Sequence, residues 1–190
     1  MSHKESFLQY LLIEKGYSPH TVRSYHTDLD QFFAFAEKDG STVSPVDISS
    51  ADVRAWIVSM MDNSMTASSV HRKISCLRIF FRYLRKEGII HHDPMDKVVL
   101  PKRKKKLPVF VGEDALDNLL DKYEFGSEFP GIRNRTIIEM LYLTGMRRAE
   151  LIGLKNNDVD LSAATIKVTG KRNKQRIIPM LKSFIGRIQE

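Results

Sequence analysis

A chain of 190 residues with 42% hydrophobic content has enough material to bury one large core or two small ones. Its single cysteine, Cys76, excludes a disulfide framework and a thiolate zinc cluster, and no stretch approaches the ~20 apolar residues needed to span a membrane, so a reducing cytoplasm is the expected setting. The net charge of +7 is unevenly spread: residues 1 to 65 carry 5 Lys/Arg against 9 Asp/Glu, residues 66 to 106 carry 12 against 3, and residues 107 to 190 carry 13 against 11. A positive field confined to one window suits a polyanion, whose condensed counterions are released as its phosphates are neutralised. A solvated basic surface is the alternative at this point.

The first hundred residues predict four helices. Phe7, Leu8, Leu11 and Leu12 form a short amphipathic run that Gly16 can end. Ser18 followed by Pro19 is an N-cap with proline at the first helical position, and Val22, Tyr25, Leu29, Phe32, Phe33 and Ala36 continue at helical spacing towards Gly40. Ser49 and Asp52 have the spacing of a capping box, after which Val53, Trp56, Ile57, Met60 and Met61 make the buried stripe of a third helix. Thr66 can cap the fourth.

That fourth helix carries two parallel rows. Val70, Ile74, Leu77, Phe81 and Leu84 advance by steps of four and three along one apolar seam. His71, Ser75, Arg78, Arg82 and Arg85 follow the same steps one residue later, about 100° round the cylinder. One face packs while its neighbour is basic, and Arg72, Lys73 and Lys86 are expected to widen the basic face. Such a face serves nucleic-acid contact and plain solvation equally well. After Asp93 and Pro94 the pattern stops, and Lys102, Arg103, Lys104, Lys105 and Lys106 stand between Pro101 and Pro108. Five like charges flanked by prolines repel one another and predict an extended tether, so a boundary is expected there, with one domain over 1–100, a linker over 101–108 and a second domain over 109–190.

Beyond the tether, Ala115, Leu116, Leu119, Leu120 and Tyr123 mark a helix. Ile137, Ile138, Met140, Leu141 and Leu143 predict an almost wholly apolar, hence central, helix that stops at Thr144 and Gly145. Ala149, Leu151, Ile152 and Leu154 predict a short helix directly after it. From Asp158 the period shifts towards two, in Val159 with Leu161, Ile166 with Val168, and Ile177 with Ile178, which predicts three short antiparallel strands.

Arg147 follows a glycine stop and opens the next helix, a place where unpaired backbone N–H groups already attract anions. A surface arginine at a helix end is the other reading of the same residue. The stretch Thr144-Gly145-Met146-Arg147-Arg148-Ala149-Glu150-Leu151 closely resembles the first signature box of the tyrosine recombinases, T-G-[LM]-R-x-x-E-L. Downstream, Gly170-Lys171-Arg172-Asn173-Lys174-Gln175-Arg176 resembles that family's G-K-x-x-K-x-R β-hairpin, at the family's separation from the first box.

The resemblance implies a mainly α architecture: a four-helix, SAM-like core-binding domain, then an incomplete α+β catalytic domain with a small three-stranded antiparallel sheet. It also implies site-specific DNA recombination by type IB chemistry, in which a tyrosine attacks the scissile phosphodiester, leaving a 3′-phosphotyrosine and a free 5′-hydroxyl without metal, ATP or other cofactor. Strand exchange would pass through a Holliday junction, with recombinase subunits assembled on double-stranded DNA as a homo- or hetero-tetramer. On this sequence Arg147 would be the first catalytic arginine and Lys171 would donate a proton to the departing 5′-oxygen, while Glu150 would orient Arg147 from one helical turn away. Arg148, at a variable position of that box, is expected to face the surface or contact the backbone. DNA contacts are expected from Arg72, Lys73, Arg78, Arg82, Arg85, Lys102, Arg103, Lys104, Lys105, Lys106, Arg172 and Lys174.

The family's His-x-x-Arg box, its further His or Trp and its nucleophilic tyrosine all belong downstream of the lysine hairpin and do not occur between it and Glu190. Tyr10, Tyr17, Tyr25, Tyr83, Tyr123 and Tyr142 are expected to pack. The 190 residues therefore read as the leading two-thirds of a recombinase subunit that would not cleave by itself. A truncated, non-catalytic relative that occupies recombination sites is the alternative. The early start of the helical module favours compact Xer-like recombinases, which resolve chromosome dimers, over integrases with an extra arm-binding domain.

Overall fold

The structure, a computed structural model, describes residues 2–37, 43–103, 107, 109–170 and 173–189. It divides into two compact units, residues 1–107 and 108–190.

The first unit is built on four helices: α1 (His3–Ile13), α2 (Pro19–Ala36), α3 (Ser50–Asp62) and α4 (Ala67–Lys86). Each begins on a side-chain cap that satisfies an otherwise orphaned backbone N–H. The Ser2 and Glu5 side chains exchange hydrogen bonds with each other's backbone, and Ser49 and Asp52 do the same. Ser18 Oγ accepts from Thr21 N at 3.2 Å, and Thr66 Oγ1 accepts from Ser69 N at 3.3 Å. α1 ends at Ile13, three residues short of Gly16, which takes a left-handed φ of +61°. α2 stops at Ala36 because Glu37 turns extended, so it does not run on to Gly40, which lies outside the described residues.

The seam foreseen on α4 is the centre of this unit: Val70, Ile74, Leu77, Phe81 and Leu84 are fully buried. Phe80 adds a second rank, edge-on to Phe7 at 5.2 Å and to Phe33 at 5.9 Å, while Phe32 meets Trp56 at 5.1 Å. Edge-to-face rings bury large apolar areas and favour one arrangement over its alternatives. Met61, expected in the stripe of α3, is 40% exposed, since the core takes Val53, Trp56, Ile57 and Met60. The chain after α4 folds back: Met95 is buried, and the His71 ring Nε2 lies 2.8 Å from the Pro101 carbonyl oxygen.

The second unit contains α5 (Glu113–Lys122), α6 (Phe129–Thr144), α7 (Arg148–Ile152), β1 (Val159–Asp160), β2 (Thr165–Thr169), β3 (Gln175–Pro179) and α8 (Lys182–Gln189). The three strands form an antiparallel sheet in the order β1-β2-β3, with Ile166 opposite both Val159 and Ile178. Alternation along β2 sends Ile166 and Val168 inward, where they join Met140, Met146, Met180 and Phe184. α6 differs from expectation. It begins at Phe129 and includes the polar run Arg133, Asn134, Arg135 and Thr136, and Ile137, Tyr142 and Leu143 are 38%, 39% and 42% exposed; only Gly131 and Met140 are buried. It is therefore not a central helix within these residues. α8 was not foreseen, although Phe184, Ile185 and Ile188 have helical spacing.

Candidate functional site

In the second unit, α6 ends on Gly145, whose φ of +59° is available to glycine without strain and turns the chain sharply into α7. Thr144 Oγ1 accepts from the Met146 backbone N at 3.3 Å, and Met146 is buried. This anchoring leaves Arg147 as the N-cap residue of α7 with its side chain 74% exposed.

Glu150, one turn on, is 7% exposed and accepts four hydrogen bonds. Its Oε2 takes the Arg147 backbone N–H at 2.8 Å and its Oε1 takes Arg147 Nη1 at 2.9 Å. Arg176 on β3 closes on the same carboxylate with both terminal nitrogens, at 3.0 and 2.8 Å. The Arg176 fork and the two donors from Arg147 hold the Glu150 carboxyl down at about 2, from 4.5, against the opposing effect of burial. The Arg176 guanidinium is correspondingly held above its ordinary value by Glu150. Gly170, at the end of β2, belongs to the same arrangement. A Cβ placed there would stand 2.9 Å from Glu150 Oε1, so any larger residue would press on the carboxylate and force it to shift.

The cluster has two guanidiniums and one carboxylate, hence a net positive charge. Arg147 keeps most of its donors free at the surface, which suits an anion with several acceptor oxygens. In the sequence Arg176 is only the last letter of the hairpin motif. Its pairing with Glu150 spans 26 residues and has no local signal.

The other site residues fall as follows. Arg148 is exposed, as is Lys174, whose backbone oxygen accepts from Gly170 N at 2.7 Å. Lys171 and Arg172 lie outside the described residues, as do Lys104, Lys105 and Lys106. Lys102 and Arg103 are exposed.

In the first unit, Arg82 and Arg85 are exposed and Arg78 is half-buried on the outward side of α4. Lys73 differs from expectation. It does not widen the basic face, because its side chain is 8% exposed and its ammonium turns inward to Asp28 Oδ1 at 3.0 Å and to the Gln31 side-chain oxygen. A lone buried carboxylate is costly, and Asp28, only 1% exposed on α2, draws in the nearest cations. Arg72 shares Asp28 but remains 50% exposed. Among the described residues no group of three or more His, Cys, Asp or Glu is placed to hold a metal, and no helix is long and apolar enough to cross a membrane.

Comparison with known proteins agrees with both units. Residues 5–88 match the sequence model described as phage integrase, N-terminal SAM-like domain, and residues 110–190 match that of the phage integrase family. A protein of Oceanobacillus iheyensis named Tyrosine recombinase XerC is 37% identical over 175 residues, covering 92% of this chain and 57% of the relative. A protein of the same name from Halalkalibacterium halodurans is 38% identical, covering 97% of this chain and 60% of the relative. The chain thus spans less than two-thirds of the curated relatives it matches. Among solved structures, a Tn1549 transposon integrase in complex with transposon right end DNA overlays with a TM-score of 0.75 at 16% identity, covering all of this chain and 64% of that one. A lambda integrase tetramer bound to a Holliday junction overlays at 0.73 and 18% identity, covering 93% and 47%. With the N-terminal and catalytic models matched in order and named relatives at this identity along nearly its whole length, the chain belongs to the phage integrase family of tyrosine recombinases.

Proposed function

We propose that the chain is the leading part of a site-specific DNA recombinase subunit, with the first unit and the linker binding duplex DNA and the second unit supplying part of the phosphoryl-transfer site. The observation that carries this reading is the buried Glu150 carboxylate, which fixes Arg147 at the start of α7 while leaving its guanidinium open to a phosphate. In this reading Arg147 contacts a non-bridging oxygen of the scissile phosphate and stabilises the pentavalent phosphorane, where charge accumulates. Lys171 protonates the departing 5′-oxygen. The nucleophilic tyrosine comes from residues beyond these 190, and the resulting 3′-phosphotyrosine is resolved through a Holliday junction within a tetramer. Chromosome dimer resolution in the cytoplasm is the process that the resemblance to XerC-named relatives favours. Arg78, Arg82, Arg85, Lys102 and Arg103 contact the phosphate backbone; Lys73, being buried, does not.

The test has two arms. The 190-residue chain should bind mixed-sequence duplex with an affinity that falls about a hundredfold between about 50 and about 200 mM salt, and should form no denaturant-stable adduct with a nicked suicide substrate. A longer chain carrying the downstream residues should form that adduct and lose it on Arg147→Ala, with duplex binding nearly kept. Salt-independent binding would remove the DNA reading. An adduct from the 190 residues alone would place the nucleophile within them, and no adduct from the longer chain would leave only a DNA-binding relative.

A further inference from the structure

The cations of α4 are not alike. Arg78, Arg82 and Arg85 have no ion-pair partner among the described residues, whereas Arg72 is clamped. Its Nη2 donates to Asp28 Oδ1 at 2.8 Å and its Nη1 donates to Asp28 Oδ2, so a carboxylate on α2 holds a guanidinium on α4 through both terminal nitrogens. Asp28 cannot swing away, because it is 1% exposed and Lys73 also donates to its Oδ1 at 3.0 Å. The result is a planar fork whose plane and position are set before any ligand arrives.

Half of the Arg72 side chain nevertheless remains exposed. Two of its five N–H groups point at Asp28, which leaves the Nε–H and a neighbouring Nη–H as a second, adjacent fork without a partner among the described residues. Ser68 and Ser75, one turn before and one turn after, are both exposed and both small, so this stretch of α4 can approach a groove floor closely. An α-helix fits the major groove, where guanine presents O6 and N7 side by side as a pair of acceptors matching an arginine fork. A phosphate needs no such fixed plane. It is served better by arginines whose charge is not already shared with a carboxylate.

We propose that Arg72, held by Asp28 and backed by Lys73, reads a guanine in the major groove, while Arg78, Arg82 and Arg85 contact phosphates. This rests on the duplex-binding reading above and assigns sequence discrimination to one side chain and a positioning role to Asp28.

The test is selection of the 190-residue chain against a pool of duplexes carrying a randomised central stretch. The wild-type chain should enrich sequences with guanine at one fixed position. Arg72→Lys keeps the charge but not the fork, and should lower the preference at that position about tenfold, leaving the other positions and the salt dependence unchanged. Asp28→Asn should blur the same position, with circular dichroism reporting whether its helices are kept; should that variant unfold, Arg72→Lys alone decides. Identical enriched sequences for wild type and Arg72→Lys would overturn the proposal. So would a loss on Arg72→Gln spread evenly over all sequences with a shallower salt slope, which marks a phosphate contact. Salt-dependent binding with no enriched sequence also overturns it while leaving the duplex-binding reading intact, whereas absence of duplex binding removes both.

Discussion

At the scale of single residues, the Glu150 carboxylate decides how the second unit responds to acid. Its folded value of about 2 lies below its ordinary 4.5, so the stability it contributes is fully present above about pH 4.5 and is lost as the pH falls towards 2. Glu150→Gln keeps the shape but loses the charge, leaving Arg147 and Arg176 to face each other across a neutral amide. The variant should melt below wild type at neutral pH, and the gap should narrow as the pH falls below about 4.5 and close only near about 2, read by thermal circular dichroism. A gap that stays constant with pH would mean the carboxylate contributes no charge-dependent stability. Gly170→Ala should act on the same group by steric pressure, because its new methyl would crowd Glu150 Oε1.

At the scale of elements, what could be read from sequence is what is local. The caps at Ser18, Ser49 and Thr66 need only three-residue spacing, and each is present with its hydrogen bond. The α4 seam was equally legible, since steps of four and three define one face. Leu77 sits fully buried in it, so Leu77→Ala should lower the stability of the first unit by about 3 kcal/mol, measured by urea unfolding. A loss below about 1 kcal/mol would mean the core closes over the gap. What sequence could not supply is what arrives from afar. Lys73 falls beside the basic row by position, and only a carboxylate 45 residues away turns it inward. Arg176 finds Glu150 across 26 residues in the same manner. The apolar half of α6 shows a different blind spot, because periodicity reports which residues are apolar and not whether anything in these 190 residues covers them.

For the molecule as a whole, the two units should differ in strength. The first buries Phe7, Phe32, Phe80, Phe81 and Trp56 among aliphatic residues from all four helices. Among the described residues the second closes on six buried apolar side chains and leaves Ile137, Leu143, Ile152, Ile177 and Leu181 exposed. Buried apolar area is the main favourable contribution to folding, so the second unit should unfold first. Two probes separate the steps. Trp56 is the sole tryptophan and lies in the first core, so its fluorescence follows that unit alone, whereas far-ultraviolet circular dichroism follows the helices of both. On urea titration the dichroism should begin to fall before the fluorescence moves, the mark of a transition that is not two-state. Trypsin should cut early at the exposed Lys102 and Arg103 and release a fragment that keeps the fluorescence transition of the intact chain. Coincident curves from both probes would instead show that the two units unfold as one.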